Sequence, residues 1–145
     1  MAKPTKSYRG AKKFVHVDGI RFDSLLEAET YRKLKKVCPF CQIDTQFKLV
    51  AKPKTRVFPV MYWKVDFRLS HPCLETPIYV EPKAVLTKDF MIKLKFFEYN
   101  DPESFSNLWF VVPDNFNQER ITKFQCRTKS KVVRLKNLHT ICPKV

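Results

Sequence analysis

The chain has 145 residues, 44% of them hydrophobic and 13 of them Phe, which suits one domain whose core needs no disulfide or metal staple. Its 28 Lys and Arg against 14 Asp and Glu give a formal charge of +14, the footprint of a polyanionic partner, with nucleic acid the first candidate. With only two glycines, Gly10 and Gly19, there is no glycine-rich phosphate loop and no nucleotide cofactor is expected; no apolar run approaches the ~20 residues that cross a bilayer, and no apolar stretch follows the basic start, so a cytoplasmic protein with no membrane partner is expected.

Residues 1–13 are basic and polar, with Lys3, Lys6, Arg9, Lys12 and Lys13, and read as a flexible arm that tracks phosphates ahead of a single domain over 14–145. Phe14 to Phe22 alternates apolar and polar residues around Asp18-Gly19, a small hairpin signal. Asp23-Ser24 then opens a helix, because Leu25, Leu26, Ala28, Tyr31, Leu34 and Val37 recur at helical spacing until Pro39 stops them. Glu27, three residues after Ser24, completes a capping box in which its side chain reaches back to the Ser24 backbone. The alternative is a third acidic residue lent to a metal site. Five cysteines in a chain without an export signal read as reduced thiols. Cys38 and Cys41 have metal-like spacing, but Zn2+ would need two further ligands from His71, Cys73, Cys126 or Cys142, and the plain reading is two free thiols at a helix-end turn.

Gln46 to Ala51 reads as a strand, followed by a basic loop with Lys52, Lys54 and Arg56 placed for phosphate contact. The centre of the chain is a pair of strands, Trp63 to Leu69 and Pro77 to Ala84, around the turn residues His71 to Thr76. Antiparallel pairing with Asp66 opposite Glu81 puts the tip between Cys73 and Leu74, inside that turn. Two carboxylates opposite each other, β-carbons roughly 5 Å apart, destabilise a sheet unless something compensates them. Lys83 shares a face with Glu81, and a hard divalent cation would compensate better still. Pro82 cannot donate to a ladder, so its strand is expected at an edge or bulged, with the Pro82 carbonyl free to face an ion.

Thr87 caps a second helix whose apolar positions are Phe90, Met91, Leu94 and Phe97. Lys88, Lys93 and Lys95 on it are either a solvated face or contacts to the phosphates of a scissile strand. Asn100-Asp101-Pro102 breaks the helix, and Leu108 to Val112 is an apolar run fit for a strand buried on both faces. From about residue 115 the pattern is less legible. Arg120, Lys123, Arg127, Lys129, Lys131, Arg134 and Lys136 suggest a basic C-terminal extension around a short strand at Val132 to Leu135. The order of elements gives an α/β core with a mixed sheet flanked by helices.

Glu27 on a helix, with Asp66 and Glu81-Pro82-Lys83 on strands, resembles the PD-(D/E)XK nuclease signature. The run Val17 to Ser24, with Glu27-Ala28, Tyr31, Gln46, Phe47, Asp66-Phe67-Arg68 and Lys93 to Glu98, is similar to small phage-encoded endonucleases related to phage Holliday-junction endonucleases. The likeness spans roughly residues 8–100, with Pro82 where a β-branched residue is usual and Ala84 where glycine is common. It implies a restriction-endonuclease-like core and a Mg2+-dependent endodeoxyribonuclease, with Mn2+ able to substitute. Asp66, Glu81 and the Pro82 carbonyl would hold one ion, Glu27 would complete that site or help a second, and Lys83 would orient the attacking water. It further implies branched or distorted DNA as substrate, a homodimer if both strands of a junction are cut symmetrically, and a host cytoplasm. The alternative is a non-catalytic nucleic-acid-binding module on the same scaffold.

Overall fold

A computed structural model describes residues 14–143, so the basic arm with Lys12 and Lys13 lies outside the described residues. The alternation around Asp18-Gly19 gives a two-stranded ribbon of β1 (Val15–Val17) and β2 (Ile20–Phe22). Its turn residues have φ of 52° and 76°, the left-handed pair that a two-residue hairpin turn requires. Next comes α1 (Leu25–Val37), where Ser24 Oγ accepts the Glu27 N–H at 3.1 Å. The returning bond differs from the expected box: the Glu27 carboxylate accepts the Asp23 N–H at 3.2 Å, not that of Ser24. At the far end the Cys38 N–H closes on the Leu34 carbonyl and Pro39 follows, as its missing donor dictates.

The main sheet has five strands in the order β3 (Gln42–Lys52), β4 (Met61–Ser70), β5 (Ile78–Pro82), β6 (Leu108–Val112) and β7 (Lys131–Arg134). β3, β4 and β5 pair antiparallel, whereas β5, β6 and β7 run parallel. The connections carry α2 (Lys88–Asn100), the short α3 (Pro102–Ser106) and α4 (Gln118–Thr128), and a 3-10 helix (Leu135–Ile141) ends the described chain. This is an α/β fold with a mixed sheet flanked by helices. β3 begins at Gln42, before the predicted strand, because Gln42 to Thr45 are polar or half-buried and show no apolar alternation. The segment after residue 115 contributes α4, the edge strand β7 and a 3-10 helix whose Leu138 and Ile141 are buried beside α1. No helix among the described residues is long and apolar enough to cross a membrane.

Each face of the sheet has its own core. On one, Leu26, Tyr31 and Leu34 of α1 pack on Phe67, Val80 and Val111. On the other, Phe90, Leu94 and Phe97 of α2 and Phe124 of α4 pack on Trp63, Val65, Tyr79 and Phe110. Trp63 meets Phe97 edge-on at 5.2 Å, and Phe110 meets Phe124 at 5.3 Å, the aromatic geometry that adds to area burial. Trp63 and Val65 belong to the α2-side core, yet Phe67 and Leu69 on the same strand belong to the α1-side core. Residues two apart on a regular strand share a face, so the alternation of β4 reverses at Asp66. In β3 the matching residue is Gln46, between the pairs Thr45↔Phe67 and Phe47↔Val65, and its φ of 54° is left-handed in a residue other than glycine.

Of the two placements expected for Pro82, edge or bulge, the structure excludes the edge, because β5 is the central strand. It is tolerated there because the Tyr79 and Lys83 N–H groups donate to the Asn107 and Val111 carbonyls on the β6 side, so the Pro82 nitrogen between them faces β4, and the β4 ladder stops at Phe67↔Val80.

Candidate active site

The end of the β4 ladder is where the charged residues gather. Phe67↔Val80, Arg68↔Tyr79 and Leu69↔Ile78 set the register that brings Asp66 beside Glu81. The Asp66 N–H donates to Glu81 Oε2 at 2.9 Å, so a side chain takes over where the backbone ladder ends. Gln46 Nε2 donates to Asp66 Oδ1 at 3.0 Å. Lys83 Nζ lies 3.3 Å from Glu81 Oε1 and 4.6 Å from the centre of the Phe90 ring, whose face is a second partner for the ammonium.

Asp66, Glu81, Lys83 and Phe90 line an open cleft of about 560 Å³, to which α1 contributes Glu27, β4 also contributes Lys64, and α2 also contributes Asp89 and Lys93. Glu81 is only 3% exposed. Burial, and then the charges of Glu81 and Glu27, push the Asp66 carboxyl far above the ordinary carboxylate range, with Lys83 and Gln46 opposing. Burial also raises Glu81, opposed chiefly by Lys83, and raises Glu27, opposed chiefly by its bond from Asp23. Four carboxylates, Glu27, Asp66, Glu81 and Asp89, therefore share one cleft with three lysines, of which Lys83 is already committed to Glu81. The deficit is a cation.

Among the described residues no three Asp, Glu, His or Cys side chains form a group able to hold a metal ion. Magnesium does not require three. It is commonly held through one or two carboxylates, completed by water and substrate phosphate. Asp66, Glu81 and the Pro82 carbonyl form an all-oxygen set of that kind, and the raised carboxyl pKa values mark negative charge that a divalent ion would meet. Glu27 lines the same cleft but its carboxylate is bound at the start of α1, so the capping role is the one the structure realises.

Among the described residues, Lys93 alone of the expected phosphate-binding lysines lines this cleft. Lys88 borders a separate hollow, and Lys95 stands with Ile92, Phe96 and Tyr99 at another surface of α2. Lys52 lies 4.6 Å from the Phe58 ring, and Lys54 and Arg56 are exposed in the loop before β4. Sequence reasoning gave no role to Gln46, Lys64 or Asp89. Lys64, two residues from Asp66, had a usable signal in the strand period; the left-handed turn at Gln46 had none. At the cysteines, all five thiols are free. The Cys38 thiol is buried and pushed up, by burial first and then by Cys142 and Cys41, while Cys142 Sγ donates to the Val37 carbonyl at 2.9 Å. No group of three His, Cys, Asp or Glu ligands forms around Cys38 and Cys41 among the described residues.

Fold and site together define an α/β protein with a carboxylate–lysine cleft at the end of its central strand. The family model described as "Protein of unknown function (DUF1064)" matches residues 6–118, from the basic arm to the first residue of α4, and the chain belongs to that family. No curated protein and no solved structure matches it.

Proposed function

We propose that this protein is a metal-dependent DNA endonuclease of the PD-(D/E)XK type on a restriction-endonuclease-like core, acting on branched or distorted DNA. The observation that carries the reading is the convergence of Asp66, Glu81 and Lys83 in one cleft, with two raised carboxyl groups and the Lys83 ammonium committed to Glu81. A net charge of +14 supports a polyanionic substrate. Asp66, Glu81 and the Pro82 carbonyl would hold Mg2+, or Mn2+ in its place, and such an ion would supply Lewis-acid charge for the scissile phosphate and the attacking water. Gln46 fixes the Asp66 carboxylate through its amide. Lys83, steadied by Glu81 and Phe90, orients the water and offsets the negative charge that develops on the phosphate. Lys64 and Lys93 at the cleft wall neutralise flanking phosphates.

The test is a gel cleavage assay on matched linear, nicked and four-way-junction DNA with Mg2+, Mn2+ or chelator, beside the Asp66→Asn protein. Metal-dependent cuts that vanish in the variant support the nuclease, and the preferred substrate defines its target. DNA binding without a cut under any metal makes the protein a binding module on a nuclease scaffold instead.

A further inference from the structure

A second hollow, of about 310 Å³, lies between the loop that joins Lys83 to α2 and the outer helix α4. Its floor is apolar, with Leu86, Met91, Phe116 and Phe124, and its rim is basic, with Lys88, Arg120, Lys123 and Arg127. Among the described residues no carboxylate lines it. Arg120, Lys123, Phe124 and Arg127 fall at i, i+3, i+4 and i+7, the spacing that turns four side chains of one helix toward one surface. Glu119 pairs with the exposed Lys123 at 3.3 Å, and no carboxylate among the described residues lines the hollow beside the two arginines.

The hollow and the acidic cleft flank the same stretch of chain. Asp89, Phe90 and Lys93 face the cleft, while Lys88 and Met91 face the hollow. A strand whose phosphate sits at Lys83 has only the short loop from Ala84 to Thr87 to cross. Duplex DNA turns phosphates outward and hides its base faces, so a basic rim alone would suit it. An apolar, partly aromatic floor inside the basic rim matches bases that are unpaired, because base faces stack on apolar and aromatic side chains while phosphates meet arginine and lysine.

We propose that the hollow between the β5–α2 loop and α4 binds an unpaired DNA strand beside the scissile bond, so that the substrates are DNAs carrying a single-stranded segment. This rests on the nuclease reading for its place in catalysis, but its binding is measured without catalysis. Fluorescence anisotropy in chelator, on the full chain, compares labelled oligo-dT, oligo-rU and a blunt duplex for the wild type, the Arg120→Ala/Arg127→Ala variant and Lys88→Ala. All three altered residues are exposed, and a thermal melt confirms folding. The double variant should weaken oligo-dT binding about tenfold and flatten its log–log salt dependence by about 1.4, from about 0.7 per lost phosphate contact. Duplex binding should change less than about twofold, and Lys88→Ala should repeat the pattern more weakly. Equal losses on duplex and oligo-dT, no loss on either, or tighter binding of oligo-rU than of oligo-dT would overturn the proposal. Cleavage that fails while this pattern holds removes the nuclease reading and leaves the strand site standing.

Discussion

Two carboxylates of the β3–β4 pair sit in opposite circumstances. Asp44 is met by Arg68 across the ladder, with Oδ2 at 3.0 Å and 3.1 Å from two guanidinium nitrogens, and that guanidinium also lies 4.0 Å from the Phe47 ring centre. Asp66, nearby on β4, receives an amide from Gln46 and faces a second carboxylate, while the closest lysine is bound to that second carboxylate. One strand pair compensates one acid fully and leaves the other short of a cation. Nothing about sheet stability favours that arrangement, since like charges in a half-buried site raise the energy of the fold. Such a deficit is characteristic of a functional site, where stability is given up for chemistry.

Removing the deficient acid should affect activity most. Asp66→Asn is expected to abolish metal-dependent cleavage, and Lys83→Ala to lower it about 10²–10³-fold with DNA binding retained, in single-turnover assays. Gln46→Ala should lower cleavage by about 10- to 100-fold. It should also move the acid limb of the pH–rate profile to higher pH, because the Gln46 bond is one of the influences that hold the Asp66 carboxyl down. An unmoved limb would leave Gln46 with a purely structural role.

Stability should respond in the opposite sense at the two acids. Without metal at neutral pH, Asp66→Asn should raise stability by about 1–2 kcal/mol, several degrees in Tm, while Arg68→Met should cost about 1 kcal/mol by leaving Asp44 unpaired. The pH dependence follows from the sign of the shift. A carboxyl whose folded pKa is raised contributes most below its unfolded value of about 4 and loses that contribution as pH rises through the folded pKa. Wild type and Asp66→Asn should therefore melt closest together near pH 4 and diverge as pH rises, with wild type falling behind. Differential scanning calorimetry across pH reads this directly, and a gap that widens toward acid would contradict it.

Much of this was legible in the chain. Ser24, the apolar spacing from Leu26 to Leu34 and Pro39 define α1 from local chemistry. The turn residues around Cys73 fix the β4–β5 register, and with it the meeting of Asp66 and Glu81. α4 was hidden because its buried positions are only Ile121, Phe124 and Thr128, too few among charged neighbours to show a face, although Asn117 caps it as a helix start should be capped. The reversal at Gln46 and Asp66 arises from packing one strand pair against two cores, which no local pattern announces. Pro82 shows the same limit: its missing donor calls for an unpaired side, and a central strand supplies one where the β4 ladder ends before its last residue. The lysines of α2 were grouped by sequence proximity, yet Lys88 and Lys93 are five positions and so about 140° apart around the helix, enough to send them to different hollows.

The central claim is that Asp66 and Glu81 are short of a cation that a divalent ion supplies. Calorimetric titration of Mg2+ into the wild type, Asp66→Asn and Arg68→Met proteins at neutral pH tests it most directly. The account predicts one saturable site in the wild type, the same site in Arg68→Met, and none in Asp66→Asn. Equal Mg2+ binding by wild type and Asp66→Asn, or binding lost only with Arg68, would contradict it.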